Sequence, residues 1–166
     1  MNQLPVYTIG HGTRKIEELI RPLKDHGIKY LLDVRSQPYS RYHPQFSRDA
    51  LQRSLEESGI RYVFMGDLLG GRPSDPGCYD KEGKIDYERV KTMDFFKAGI
   101  ERIKTAYAKN LPIALMCSER DPGHCHRSKL IGPVLVEEKI HLLHIDEKDH
   151  LRNQAEVMAR SPKKGD

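Results

Sequence analysis

No apolar run in this 166-residue chain approaches the length of a membrane span. The first residues, MNQLPVYTIG, also lack the charged-then-apolar layout of a secretion signal. A cytoplasmic protein that does not enter membranes is the expectation. Cysteine is scarce and odd in number, with three residues. That argues for free thiols in a reducing compartment rather than for a disulfide framework. Charge of one sign does not dominate. A formal net charge of +4 and a pI near 8.9 favour anionic ligands, yet fall short of the dense basic face of a dedicated nucleic-acid binder. Neither GxGxxG nor the P-loop lysine motif occurs, which leaves a standard dinucleotide or NTP site unsupported. Internal repeats, low-complexity blocks and linkers are absent as well.

What is present is alternation. Hydrophobic residues make up 37% of the chain, enough for a core in one domain over 1–160, with a short flexible tail over 161–166. Short apolar runs over 4–9, 28–34, 60–65, 113–117 and 140–145 read as strands. They are too continuous for a half-exposed sheet and suit parallel strands covered on both faces. Between them lie helical patterns. One is capped by Thr13 and carries Ile16, Leu19, Ile20 and Leu23; a second is capped by Ser47 and ends at Gly59. The longest runs from the cap Asp86 through Tyr107. A fourth holds Pro133 in its interior and should kink or split there, and a final one covers 148–160. The segment 66–84 is a long loop rich in Gly and Pro. The expected fold is α/β: a single-domain, mainly parallel five-stranded sheet with helices on both faces, a Rossmann-like three-layer sandwich.

In such a sheet the residues that follow each strand share one edge, where open α/β proteins carry their sites. That brings His11, Asp33, Arg35, Asp67, Cys117 and Glu119 within reach of one another. Gly10-His11-Gly12-Thr13 offers either a backbone that can approach a phosphate or a tight turn with a capping Thr. Asp33 and Arg35 can act as a base and an oxyanion fork, or as an ion pair that fixes the loop. Arg41 and Tyr42 combine a cation with a ring, a mix suited to stacking a base, whereas Phe46 reads as core.

The segment 113–128, IALMCSERDPGHCHRS, is the densest in reactive groups. Cys117 is a candidate nucleophile among Arg120, His124, His126 and Arg127, or a buried strand-end thiol. The Cys-x5-Arg loop of phosphatases and rhodaneses is not met, because Gly123 stands where the Arg would be. Cys117, Cys125, His124 and His126 have ligand types suited to zinc, but three adjacent ligands cannot easily face one ion. Glu119 completes the set as a candidate acid or base.

Four stretches taken together, TIGHGT at 8–13, LLDVRSQPYSRYHPQF at 31–46, GDLLGGRP at 66–73 and MCSERDPGHCHRS at 116–128, resemble the prokaryotic family called domain of unknown function 488. The resemblance implies a small, stand-alone cytoplasmic α/β domain and assigns no catalytic role. Gly12 stands where Ser is more usual in that pattern.

The residues thus point to a transferase or hydrolase for an anionic nucleotide, phosphorylated or nucleic-acid-derived substrate. Asp33, Glu119, Cys117 and His11 would do the chemistry. Gly10, Gly12, Arg35, Arg41, Tyr42, Arg72, Arg120, His124, His126 and Arg127 would bind. The alternatives are a nucleotide or nucleic-acid binding module without catalysis, and a metal or redox protein using the Cys/His loop. No motif names a cofactor.

Overall fold

The structure, a computed structural model, describes residues 3–160; the expected tail over 161–166 lies outside them. In chain order the elements are β1 (Val6–Gly10), α1 (Ile16–Asp25), β2 (Tyr30–Asp33), α2 (Arg48–Glu57), β3 (Arg61–Phe64) and α3 (Gly66–Leu69). There follow α4 (Tyr87–Val90), α5 (Asp94–Ala108), β4 (Ile113–Cys117), α6 (Gly132–Glu137), β5 (Leu142–Ile145), β6 (Leu151–Asn153) and α7 (Gln154–Arg160). The strands form one sheet in the order β3-β2-β4-β1-β5-β6, parallel except for β6.

Period-two alternation divides the apolar side chains between the two faces. In β4, Ala114 and Met116 join Leu19 and Leu23 of α1 and Leu51 and Leu55 of α2 on one side. Ile113, Leu115 and Cys117 meet Phe96, Ile100 and Ile103 of α5 and Leu135 of α6 on the other. The three-layer α/β expectation holds, with six strands rather than five.

The sixth strand corrects the expected helix over 148–160. Asp146 Oδ1 accepts from the amides of Lys148 and His150, both at 2.9 Å, and Asp149 takes φ 63°. This closes a tight turn that sends 151–153 back antiparallel to β5, so the helix starts only at Gln154.

Other expectations shift by local chemistry. The cap of α1 is Lys15, whose amide donates to Glu18 Oε1 at 2.8 Å, and Thr13 lies outside the helix. Pro22, inside α1, cannot donate to the Glu18 carbonyl. The buried guanidinium of Arg14 takes that oxygen instead, at 3.1 Å. Asp86 caps only the short α4, and the chain breaks before α5, so the single long helix becomes two. The region 66–84 contains α3 and a 3-10 turn at Pro76–Cys78 rather than being loop throughout. Pro133 divides its helix as expected: a π-helical turn, Arg127–Ile131, precedes α6.

Candidate functional site at the carboxyl edge of the sheet

The turns after β1, β2 and β4 meet. His11 N–H donates to the Cys117 carbonyl at 3.0 Å and Gly12 N–H to that of Ser118 at 2.8 Å. A Cβ on Gly10 would fall inside the Glu119 carbonyl oxygen, so glycine is what lets the two strand ends cross. These contacts revise the reading of GHGT. Its amides serve the β4 turn, and the space over Gly10 and Gly12 is filled by Glu119 backbone and the Arg120 side chain.

On the α1/α2 side of the edge lies a buried polar cluster. Asp33, fully buried, accepts from Arg35 Nε at 2.9 Å, from Arg35 Nη2 at 2.8 Å and from the Tyr62 hydroxyl at 2.6 Å. Arg35 Nη1 reaches His11 Nε2 at 3.3 Å, while His11 Nδ1 meets the Gly12 carbonyl at 3.0 Å. A carbonyl only accepts, so Nδ1 carries the proton and Nε2 is the acceptor for Arg35. His11 stacks on Phe46 with ring centroids 4.5 Å apart, which fixes its plane. Both ring nitrogens of His11 are committed, one to the Gly12 carbonyl and one to Arg35.

Burial also holds three imidazoles neutral. It lowers His11, His126 and His144 to about 4 each, with neighbouring arginines adding to the effect and hydrogen bonds opposing it. His144 is satisfied in that form, between Thr8 Oγ1 at 2.6 Å and Gln154 Oε1 at 2.7 Å. A histidine whose folded pKa lies below its unfolded one gives stability that is complete above pH 6.5 and lost as pH falls toward 4. Each such group costs up to about 1.4 kcal/mol per pH unit across that window. The urea midpoint should therefore drop steeply between pH 7 and pH 5. A midpoint that stays level would show these rings to be solvated.

On the α5/α6 side a cleft of about 400 Å³ opens, lined among others by Arg35, Arg72, Cys117, Glu119, Cys125 and His126. The β4 turn folds back through an Asp121-Pro122-Gly123 turn, in which Asp121 Oδ1 accepts from Gly123 N–H at 2.8 Å. The Ser128 hydroxyl donates to the Pro122 carbonyl and closes the loop. This returns Cys125 to Cys117, and their sulfurs are in contact. Two of the three thiols expected to be free are thus paired with each other, and Cys78, buried, is the one left free among the described residues. His126 Nε2–H donates to the Val34 carbonyl at 2.9 Å. Its Nδ1 lies 3.5 Å from Cys125 Sγ.

The other sequence candidates separate. Arg127 is fully buried, donating to Thr8 Oγ1 at 2.8 Å and to the carbonyls of Glu119 and Arg120 at 3.2 and 3.0 Å. It braces the loop from beneath and does not line the cleft. His124 also lines the cleft, half-exposed beside Asp121. Arg41 and Tyr42 stand on an exposed loop, the guanidinium 5.7 Å from the ring centroid. Asp67 is exposed on α3. Cys117, Cys125, His124 and His126 do not converge as a ligand set; among the described residues no group of three or more His, Cys, Asp or Glu is placed to hold a metal.

Three residues escaped the sequence reading. Tyr62 looks like plain strand core, and its hydroxyl matters only because it sits beside Asp33 across the β2–β3 pair. Ser36 carries the Arg72 amide on its hydroxyl at 2.8 Å, and Tyr87 enters the cleft from α4. Neither has a local signal.

Fold and site together define an open, mainly parallel α/β protein whose polar groups gather beyond the carboxyl ends of its central strands. Residues 15–132 match the family described as Domain of unknown function DUF488, and the chain belongs to that family. No curated protein and no solved structure matches it. Among the described residues no helix is long and apolar enough to cross a membrane.

Proposed function

We propose that the cleft is the binding site of an enzyme for an anionic substrate, a nucleotide or another phosphate- or carboxylate-bearing molecule. The observation that carries this reading is the state of Arg35. Three of its N–H groups are spent on Asp33 and His11, which lock the guanidinium plane, and Arg35 also lines the cleft. A guanidinium has five such donors, so two remain for an oxyanion. Because Asp33 neutralises Arg35, selectivity for an anion comes from directed N–H groups, and net positive charge comes from Arg72 at the exposed rim. Glu119 supplies a carboxylate on the same wall for proton transfer.

Titration with inorganic phosphate and nucleoside monophosphates at low salt, followed by amide NMR, tests this. Shifts should concentrate at Arg35, Ser36 and Arg72. Arg72→Gln should weaken binding roughly tenfold, the worth of one charge-assisted hydrogen bond. Shifts confined to the far surface around Lys109 would remove the proposal.

One observation favours a second reading, nucleic-acid binding without turnover. Tyr39 and Tyr42 are 72% and 81% exposed next to Arg41, a sequence-tolerant stacking platform. Single-stranded oligonucleotide affinity that falls steeply with salt and is lost on Tyr42→Ala would support it.

A further inference from the structure

The paired cysteines are used by neither reading, and the surroundings of their two sulfurs differ. Cys125 Sγ receives the Arg127 backbone N–H at 3.5 Å and faces the acceptor nitrogen of His126 at the same distance. The amide donor meets the sulfur lone pairs, and the imidazole lone pair orients the Cys125 S–H. Cys117 Sγ instead lies 3.4 Å from the Glu119 carbonyl. Cys125 is also the more open of the two, 5% exposed against 1%. Two cysteines in contact, one more open and met by an amide donor and an imidazole, the other more deeply buried, make an attacking and a resolving cysteine. They line the same cleft as Arg35 and Arg72.

We propose that Cys125 and Cys117 are a thiol–disulfide exchange couple for low-molecular-mass disulfides that carry carboxylates. The preference for carboxylates rests on the anion-binding reading of the cleft; the exchange chemistry does not.

In the first step the Cys125 sulfur attacks one sulfur of the small disulfide. The S–S bond of that molecule breaks, a new bond joins it to Cys125, and the departing thiolate takes the proton Cys125 gave up. In the second step Cys117 attacks Cys125 Sγ, releases the second small thiol with the Cys117 proton, and leaves the two cysteines joined. The protein is oxidised by two electrons and one small disulfide is reduced to two thiols. His126 acts as a positioning residue for the Cys125 S–H.

The test uses the full-length protein, reduced and freed of reductant, with three probes: glutathione disulfide, neutral 2-hydroxyethyl disulfide and cationic cystamine. Peptide mapping by mass spectrometry should find Cys117 joined to Cys125, two thiols released per chain and Cys78 unmodified. Cys117→Ser should accumulate the mixed disulfide on Cys125, and Cys125→Ser should yield no adduct on Cys117. Glutathione disulfide should react at least about tenfold faster than cystamine, the gain a charged cleft gives a complementary ligand. Arg72→Gln should narrow that gap.

Failure of the Cys117–Cys125 link to form, or adducts on Cys117 in the Cys125→Ser protein at the wild-type rate, would overturn the couple. Phosphate titration of the same samples shows whether the anion site stands without it. Equal rates for all three probes would overturn the carboxylate preference, and would take the anion reading with it if phosphate also fails to bind. Loss of a variant to misfolding is covered by the wild-type protein, in which the link, the thiol count and the probe ranking are read directly.

Discussion

Gly10→Ala should destabilise the protein by at least about 3 kcal/mol, the upper range for overpacking a filled site. The added methyl would meet the Glu119 carbonyl and come within 2.9 Å of Arg120 Cα, and both obstacles are backbone. That backbone cannot swing aside. Arg127 holds the carbonyls of Glu119 and Arg120 from beneath, and Gly12 N–H holds that of Ser118. Relief would have to move the end of β4, and with it Cys117 and the cleft wall. Gly27→Ala is the control. Gly27 sits at φ +70° after α1 with nothing within 4 Å of a Cβ, so the expected cost is only the left-handed backbone penalty, about 1 kcal/mol. Urea unfolding of the pair reads the difference. Equal losses for the two variants would mean that the strand ends do not cross as closely as described.

Asp33→Asn should cost about 3–5 kcal/mol, the usual loss when one partner of a buried ion pair is removed. Asp33 accepts from the Arg35 side chain, from the Arg35 backbone N–H at 3.2 Å and from Tyr62. An amide of the same size keeps one acceptor oxygen and leaves the Arg35 charge uncompensated in a site that is 4% exposed. Tyr62→Phe, which removes a single hydroxyl, should lose about 1 kcal/mol. Burial, then the bond to Asp33, pushes the Tyr62 phenol above its usual range, so this hydroxyl is a donor at any working pH. The double variant Asp33→Asn/Arg35→Met should be less damaged than the sum of its single changes, because the second substitution removes the stranded charge. Should Asp33→Asn prove no worse than Tyr62→Phe, the cluster would not be holding the β2 turn together.

Both predictions concern groups whose presence in the sequence was plain and whose role was not. Gly10 and Gly12 invited a phosphate, since a glycine-flanked turn between strand and helix has that use elsewhere. The structure spends the His11 and Gly12 amides on the β4 turn instead, because parallel pairing of β1 with β4 brings Gly10 opposite Cys117. Arg127 read as a candidate substrate-binding cation and is a fully buried brace. Nothing local marks it, as the oxygens it binds belong to residues 8, 119, 120 and 145. The two cysteines read as free thiols, and the Asp121-Pro122-Gly123 turn brings them into contact. The missed sixth strand has the same origin. Residues 148–160 carry a helix-like pattern, and a turn built on the Asp146 carboxylate overrides its first half.

From the residues alone came the layering and the edge at which the polar turns gather. Alternating apolar strands and amphipathic helices admit few arrangements other than a covered parallel sheet, and such a sheet gathers its polar turns at one edge. Only the folded chain decided which of those polar groups face open space. A hydrogen-bond donor is available to a ligand only if no acceptor from a distant strand end has already taken it. At this edge the backbones cross so closely that Gly10, Gly12, His11 and Arg127 are spoken for, while Arg35, Arg72, Glu119 and the Cys117–Cys125 pair are left along the cleft.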